Sequence, residues 1–304
     1  MIYTVTLNPA LDYHVYAEKL RPGEVIRARR VGLSYGGKGI NVSALLTRLG
    51  LPATALGFVA GATGEMLCRS LEQEGIPQDF IFLKKGATRI NVKIHVNSKD
   101  TDLNAPGPEI DPSSQEELLR RMRGLKEGDA LVLSGSIPPS LPRDFYRRLM
   151  EGLPPRVLVA VDTEGECLRA VLPLRPFLVK PNLSELSSLV GYSCDTPESL
   201  IRGARELRDW GAQNVLVSLG GEGALLLDAS DRLYRQDAPS GSVIQTVGCG
   251  DAMLAGFLAN WLKSGDSLES LRYAVSCGSA SAFSERLAEE AQIQELYNEM
   301  ATEH

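Results

Sequence analysis

The sequence predicts an α/β protein in which helices cover both faces of a mostly parallel sheet and a small second sheet forms a lid. Short apolar runs rich in β-branched residues alternate with helical periodicity almost from end to end, which is typical of repeated strand-helix-strand units. Two other segments alternate polar and apolar residues with period two, which indicates half-exposed antiparallel strands. Together these patterns separate a buried main sheet from a small projecting one.

The buried strands are expected where apolar runs are continuous, because a parallel strand covered on both faces has no polar side. Six runs fit this description, at residues 2–7, 53–58, 130–135, 156–162, 177–180 and 214–220. Helical periodicity lies between them, most clearly at residues 40–50, 114–125 and 198–211, and the chain is helical after about residue 254.

The lid strands are expected within residues 12–31 and 89–104, where the polar and apolar residues alternate. No linker separates these segments from the rest, so we expect one domain of 304 residues with the lid inserted into it.

Composition excludes several classes of protein. A net charge of −6 argues against a general nucleic-acid surface. No apolar run is long enough to span a membrane, and the N-terminus does not resemble a secretion signal, so we expect a cytoplasmic protein. The five cysteines lack the spacing of a zinc site or a disulfide framework.

The stretch GLSYGGKGIN at residues 32–41 raises the question of a nucleotide-binding P-loop. Gly32, Gly37 and Lys38 have the right spacing, but Gly39 stands where a P-loop has the Ser or Thr that holds Mg²⁺. The preceding segment is also too polar for a buried parallel strand. The remaining alternatives are a flexible glycine-rich turn before a helix that begins near Ile40, or an anion site at that helix N-terminus.

The stretch TVGCGDAMLAGF at residues 246–257 is the most informative. Its turn leads into a helix, so the backbone N–H groups of Gly248, Cys249 and Gly250 can bind an anion in front of the helix dipole. Asp251 would repel that anion unless it removes a proton, or unless it is only a helix-start carboxylate favoured by the dipole.

Polar residues also follow other predicted strands, at the sheet edge where open α/β sheets bind ligands. These stretches are VDTEGECL (161–168), KPNLSEL (180–186) and SLGGEGALL (218–226). If Pro181 starts a helix, Asn182 and Glu185 share one face and suit a Mg²⁺ held mainly by water and phosphate; a capping box is the alternative. The SLGGEGALL stretch either leaves room for a flat base or forms a hairpin.

The whole set of motifs resembles the phosphofructokinase B branch of the ribokinase-like sugar kinases, and within it the fructose 1-phosphate kinases. The motifs occur in order from residue 2 to about 285, and the remaining ones are TLNPALD (6–12), TRINVKI (88–94) and SGSIPP (134–139). The resemblance implies a ribokinase-like three-layer sandwich with a β-sheet lid that often forms a dimer contact.

The resemblance also implies a role for each matching residue. Asp251 would be the general base and the turn 248–250 the anion hole for the transferring phosphoryl group. The sugar hydroxyls would be bound by Asp12, Gly37 and Asn41. The phosphate that the substrate already carries would be bound by Arg27, Lys38 and Arg89. ATP would lie near Lys180, Asn182, Ser218, Gly220 and Gly223, with Mg²⁺ at Glu185 and Asn182. The expected reaction is the phosphorylation of fructose 1-phosphate by ATP.

Three alternatives stay open at this point. The acceptor could be tagatose 6-phosphate, because a furanose ketohexose carries a CH₂O arm on each side of its ring oxygen. The protein could instead be a non-catalytic sugar-phosphate sensor, which would have no use for a base beside an anion hole.

Finally, Cys249 and Ala252 depart from the family's usual Ala and Ser. The thiol of Cys249 could be a reactive thiolate at a helix N-terminus or a small inert side chain.

Overall fold

The computed structural model describes residues 1–96 and 99–302 of the chain. Its strands are β1 (Ile2–Thr6), β2 (Ala10–Tyr16), β3 (Arg30–Gly36), β4 (Ala53–Ala60), β5 (Ile81–Leu83), β6 (Arg89–Val96), β7 (Lys99–Leu103), β8 (Ala130–Ser134), β9 (Leu158–Asp162), β10 (Leu178–Val179), β11 (Asn214–Ser218), β12 (Ala224–Leu227) and β13 (Leu233–Gln236). Its helices are α1 (Lys38–Arg48), α2 (Gly61–Gln73), α3 (Pro112–Arg123), α4 (Phe145–Glu151), α5 (Gly165–Val171), α6 (Leu183–Val190), α7 (Pro197–Asp209), α8 (Cys249–Ser264), α9 (Ser267–Ala282) and α10 (Glu290–Thr302).

The main sheet has nine strands within the described ranges, in the order β13-β12-β11-β10-β9-β8-β1-β4-β5. The pairs from β5 to β11 are parallel, and β12 and β13 add an antiparallel hairpin at one edge. The chain reverses its direction of travel across the sheet between β1 and β8, a place where open α/β sheets bind ligands at the carboxyl ends of their strands.

Helices bury both faces of this sheet, which explains the continuous apolar runs. Along β8, Leu131 and Leu133 belong to a core shared with α3 to α7, whereas Ala130 and Val132 belong to a core shared with α1, α8, α9 and α10. Successive side chains of a strand point to opposite faces, so each strand contributes to both cores. The predicted three-layer architecture is confirmed.

The lid is a four-stranded sheet in the order β3-β2-β6-β7, with β2 and β6 parallel and the outer pairs antiparallel. The predicted lid segments were only partly right. Residues 17–29 are not strand, since RPGEV introduces a proline and a turn glycine, and β3 instead extends through GLSYG to Gly36. Residues 97 and 98 of the second predicted segment lie outside the described residues.

The sequence missed the short strands β5 and β13 and left β12 as one of two alternatives for residues 218–226. Strand β5 has three residues, and β12 follows the glycine-rich turn of SLGGEGALL, whose hairpin alternative is confirmed by the antiparallel pairing of β11 with β12. Helix α6 begins at Leu183, so the condition that Pro181 starts a helix is not met. Asn182 caps this helix instead.

Candidate active site

A cavity of about 1040 Å³ lies at the carboxyl edge of the main sheet. The strand ends β1, β8, β9, β10 and β11, the inner face of the lid and the N-terminus of α8 all contribute to its lining. Its volume is at the upper end of the range for small-molecule sites, which is roughly 300–1,000 Å³. The cavity therefore has room for two ligands side by side.

Asp251 lies in the first turn of α8 and is 5% exposed. Its Oδ2 accepts a hydrogen bond of 2.8 Å from Asn41 Nδ2, which fixes the orientation of the carboxylate. Burial, together with the nearby negative charge of Asp162, raises the pKa of Asp251 to about 7, although Asn41, Lys38 and Lys180 act in the opposite direction. A carboxylate with a pKa near neutrality is suited to accept a proton from a hydroxyl.

The helix turn around Asp251 can bind an anion. The first N–H groups of a helix have no acceptor within it, and Gly248 reaches the required turn with a left-handed φ of 80°. An added Cβ at Gly250 would lie 3.2 Å from Lys180 Nζ. The buried ammonium group of Lys180 therefore lies directly against this turn and adds a full positive charge to the backbone donors.

The glycines of the GGKG stretch let the chain pass close to β1 and to the lid. A Cβ added to Gly36 would lie 2.5 Å from Asp12 Oδ2, and one added to Gly37 would lie 2.7 Å from Thr6 Cγ2. Helix α1 begins directly afterwards at Lys38, two residues earlier than predicted. The stretch is therefore a close-packed entry to a helix and not the flexible turn of the first alternative, while an anion site at this helix N-terminus stays a prediction.

Lys38 points into the cavity and pairs with a residue that the sequence analysis did not single out. Its Nζ lies 3.0 Å from Asp162 Oδ1 and 4.0 Å from Glu185 Oε1. Burial alone would lower the pKa of Lys38, but Asp162 and Asp251 raise it above its ordinary value, so the side chain stays charged. In this structure Lys38 pairs with Asp162, and its expected role in holding the substrate's own phosphate stays a prediction.

Asp162 ends strand β9 and is 1% exposed. Its second oxygen lies 3.3 Å from Lys180 Nζ, so a single carboxylate pairs with two ammonium groups. Despite burial, the two lysines hold the pKa of Asp162 below its usual range. The polar stretch that begins at the end of this strand was the sequence signal that could have identified Asp162. Its two lysine partners come from distant segments, so the pairing could not be predicted.

The lid side of the cavity carries the expected residues Asp12 and Arg89. Asp12 Oδ1 accepts a hydrogen bond of 2.9 Å from Asn91, and Arg89 donates to the carbonyl oxygens of Asn8 and Ala105. Asn91 and Lys93 also line the cavity and were missed. They could have been found, because residues 89, 91 and 93 fall on one face of a strand.

Arg27 does not lie where the sequence analysis expected it. It is exposed in the irregular segment between β2 and β3, and it is not part of the cavity lining. The resemblance grouped Arg27 with Lys38 and Arg89 as a ligand of the substrate's phosphate, although none of the matching motifs contains Arg27, and that role stays a prediction.

The other side of the cavity combines the predicted polar residues with an apolar wall. Lys180, Asn182, Ser218, Gly220 and Gly223 all line it. The apolar residues were missed because they lie in a loop and on a helix without a local motif; they are Ala238, Val243, Val247, Val275, Ala282 and Phe283. An apolar slot beside a glycine-rich turn is suited to a flat base.

Asn182 and Glu185 form the capping box that the sequence analysis left as an alternative. Asn182 Oδ1 accepts from the Glu185 backbone N–H, and Glu185 Oε2 accepts from that of Asn182, both at 2.8 Å. Glu185 Oε1 remains on the cavity side, 4.0 Å from Lys38 Nζ. No group of three or more His, Cys, Asp or Glu side chains within residues 1–96 and 99–302 could hold a metal ion. One carboxylate oxygen fits a Mg²⁺ held mainly by water and phosphate, with Asn182 serving the helix.

Cys249 lies at the start of α8, and its Sγ contacts the carbonyl oxygen of Gln245 at 3.7 Å. Burial, with the charge of Asp251, raises the pKa of this thiol to about 11. The structure therefore favours the inert alternative over the reactive thiolate, because desolvation and a neighbouring carboxylate outweigh the helix dipole.

No helix in the described part of the chain is both long and apolar enough to cross a membrane.

Comparisons with known proteins agree with this geometry. The sequence profile described as "pfkB family carbohydrate kinase" matches residues 6–292. The chain is 40% identical over 301 residues to a 1-phosphofructokinase of Bacillus subtilis, covering 99% of this chain and 98% of that protein. It is 35% identical over 306 residues to a D-tagatose-1-phosphate kinase of Bacillus licheniformis, covering all of both.

A solved structure extends the likeness to three dimensions. The phosphofructokinase-2 of Escherichia coli in complex with fructose-6-phosphate superposes with a TM-score of 0.90 at 32% identity, covering 99% of both chains. The fold is thus the ribokinase-like sandwich that the motifs implied. On its sequence, its fold and its full-length relatives, this chain belongs to the pfkB family of carbohydrate kinases.

Proposed function

We propose that this kinase transfers the terminal phosphoryl group of ATP to D-fructose 1-phosphate and forms fructose 1,6-bisphosphate. The observation that carries the proposal is the position of Asp251, a buried carboxylate with a pKa of about 7 beside an anion-binding helix turn. A base within reach of a phosphoryl-binding site is what phosphate transfer to a sugar hydroxyl requires.

The acceptor sugar occupies the lid side of the cavity in this proposal. Asp12 and Asn41 bind its hydroxyls, and Arg89 and Lys93 bind the phosphate that it already carries. Asp251 takes the proton from the free primary hydroxyl, and Asn41 holds the carboxylate in place through its 2.8 Å hydrogen bond. Because the lid covers this half of the cavity, it excludes water that would otherwise compete as the acceptor.

ATP occupies the other side, with its base in the apolar slot and its phosphates toward the turn 248–250. The backbone N–H groups of this turn and the ammonium group of Lys180 stabilise negative charge on the moving phosphoryl group. Glu185 would hold the Mg²⁺ that accompanies ATP, and this ion would supply positive charge beside the phosphates.

The name of one relative favours a second acceptor, D-tagatose 1-phosphate, since a protein with that activity matches this chain from end to end. Tagatose 6-phosphate remains an alternative through reversed binding of the furanose. The sensor alternative has little support, because the base and the anion-binding turn are both retained and the matched relatives are kinases.

The test is a comparison of kcat/KM for fructose 1-phosphate, D-tagatose 1-phosphate, tagatose 6-phosphate and fructose 6-phosphate, with ADP release measured at saturating MgATP. We expect the highest value for fructose 1-phosphate and a bisphosphate product by ³¹P NMR. A higher value for any of the other three sugars would replace the substrate named here. Tight sugar-phosphate binding without ADP release would support the sensor.

We also propose that the chain forms a homodimer through the outer face of the lid. The inner face carries Asp12, Asn91 and Lys93, and the strand pairing places Tyr13, Leu33 and Ile90 together on the opposite face. These three are exposed apolar side chains, as are Val31 and Leu103. An apolar sheet face of this kind is typical of a contact between protein chains.

A further inference from the structure

Within the cavity lining, the lysines Lys38 and Lys180 act on the two buried carboxylates Asp162 and Asp251, but they form ion pairs with only one of these two. Both ammonium groups pair with Asp162: Lys38 at 3.0 Å through one oxygen, and Lys180 at 3.3 Å through the other. Neither lysine is within 4.0 Å of a carboxylate oxygen of Asp251 in the described structure, where the base has only the neutral amide of Asn41 as its hydrogen-bond partner. The base is thus left without a direct ion pair.

This arrangement matters because an ion pair would weaken the base. A carboxylate beside an opposite charge is favoured in its ionised form and loses affinity for protons. Lys38 and Lys180 both face Asp251 closely enough to lower its pKa, and the charge of Asp162 raises it. The other groups that face this carboxylate are Asn41 from α1 and Cys249 from its own helix.

We propose that Asp162 is a positioning residue that holds Lys38 and Lys180 at the phosphoryl-transfer centre and keeps both of them from pairing with Asp251. Two observations place the lysines at that centre. Lys180 Nζ lies against Gly250 of the anion-binding turn, and Lys38 Nζ lies between Asp162 and the candidate metal ligand Glu185. This inference deepens the proposed function and rests on it for the identity of the base.

Burial explains why the single carboxylate of Asp162 can hold both lysines. Asp162 and Lys180 are 1% and 4% exposed, so their charges are poorly screened by water. Lys38 is 39% exposed on the cavity side and can reach a ligand while it stays paired. Without the charge of Asp162, Asp251 is the buried carboxylate whose charge still interacts with both lysines.

The test follows the titration of Asp251 in the free protein, which needs neither substrate nor turnover. Aspartate labelled with ¹³C at the carboxyl carbon gives one NMR signal per residue, and the signal missing in Asp251→Asn identifies the base. We expect Asp162→Asn to move this titration to lower pH and Lys38→Met to move it to higher pH. Asp228→Asn is the matched control, because it removes another buried aspartate that does not line the cavity, and it should leave the titration unchanged.

Kinetics supply a second readout. The variant Asp162→Asn should lose roughly 10- to 100-fold in kcat, as expected when charged groups at a transfer centre are misplaced, while the KM for the sugar changes by less than about threefold. The acid limb of its pH profile should move in the same direction as the NMR titration.

An unchanged or higher midpoint of the Asp251 titration in Asp162→Asn would overturn the inference, even if activity falls. If Asp162→Asn does not fold, an unchanged or lowered titration in Lys38→Met would overturn it instead. Failure of the proposed function is a separate result, since wild-type protein that phosphorylates none of the four sugars can still be titrated by NMR.

Discussion

At neutral pH the carboxyl group of Asp251 is close to the midpoint of its own titration. Burial raises its pKa from the ordinary value of 3.8 to about 7, so the folded protein binds this proton more tightly than the unfolded chain does. Its contribution to stability is therefore fully present below about pH 3.8 and is lost as the pH rises through about 7. The ionised form that catalysis needs is the form that destabilises the fold.

We accordingly expect Asp251→Asn to be more stable than the wild type at pH 8. The asparagine keeps the shape and can still accept the hydrogen bond from Asn41, but it carries no buried charge. The gain in the free energy of unfolding should be on the order of 1 kcal/mol or more at pH 8 and should shrink toward pH 4. Urea unfolding at pH 4, 6 and 8 measures it. If Asp251→Asn is less stable than the wild type at pH 8, the folded protein stabilises the ionised carboxylate of Asp251, and this prediction is wrong.

The thiol of Cys249 should be unreactive in the free protein. With a pKa of about 11, only a very small fraction is thiolate at pH 7.5, and the thiolate is the form that is alkylated. We expect iodoacetamide to inactivate the wild type no faster than Cys249→Ala, with the label located by mass spectrometry. Rapid labelling of Cys249 that MgATP prevents would restore the reactive alternative.

Single residues were predictable where a local motif carries them and not where distant segments meet. Asp251 follows from its glycine turn and helix start, and Asp12 and Arg89 were placed correctly in the cavity. The pairing of Asp162 with two lysines depends on the order of strands in the sheet, and no local pattern encodes it. Arg27 lies in an irregular loop outside the matching motifs, and local sequence does not determine the path of such a loop.

Among the elements, strand β6 connects the lid to the cavity. Arg89, Asn91 and Lys93 lie two residues apart and all line the cavity, so this one strand presents an amide and two cations to the acceptor side. The alternation that predicted a strand also contained this information, because period two defines a face.

We expect Arg89→Met to raise the KM for fructose 1-phosphate by roughly 10-fold or more, with little change in the KM for ATP. A cation that binds the substrate's phosphate equally in the ground and transition states contributes to KM rather than to kcat. Arg27→Met is the matched control, since Arg27 lies outside the cavity lining, and its kinetics should stay close to those of the wild type. An equal rise in the KM for fructose 1-phosphate in both variants would indicate that Arg27 also binds the substrate's phosphate.

Several long elements were predicted within a few residues, and among the short ones β10 fell inside a predicted apolar run whereas β5 and β13 were missed. Helices α1, α3 and α7 have clear apolar periodicity, and the buried strands are continuous apolar runs. The three-residue strand β5 and the hairpin strands β12 and β13 depend on pairing with neighbours that are already in place, so local sequence specifies them weakly.

For the whole molecule, the two faces of the lid suggest a link between assembly and catalysis. One face completes the acceptor side of the cavity, and the other exposes Tyr13, Leu33 and Ile90. We expect wild-type protein to elute as a dimer in size-exclusion chromatography with light scattering, and Leu33→Asp to shift it toward the monomer, because a charge in an apolar contact is costly. Leu262→Asp is the control, since Leu262 is exposed at the end of α8, away from the lid. A wild-type monomer, or a Leu33→Asp dimer, would contradict the proposed interface.

The fold class was predictable because it rests on patterns repeated along the whole chain. Alternating strands and helices imply a parallel sheet with helices on both faces, and the structure has this arrangement. Substrate choice is different. The relatives named 1-phosphofructokinase and D-tagatose-1-phosphate kinase are both similar to this chain over its full length, so overall similarity does not decide between the sugars.

The most direct test of the account is the initial rate of MgATP-dependent phosphorylation of fructose 1-phosphate by the wild type and by Asp251→Asn. We expect the substitution to lower kcat by roughly 10²- to 10⁴-fold, the usual contribution of a general base, and to leave fructose 1-phosphate affinity, measured by calorimetry, nearly unchanged. The wild-type kcat/KM should rise with pH through about 7, the pKa of the free base. A variant that keeps the wild-type kcat would remove Asp251 from the mechanism and contradict the account.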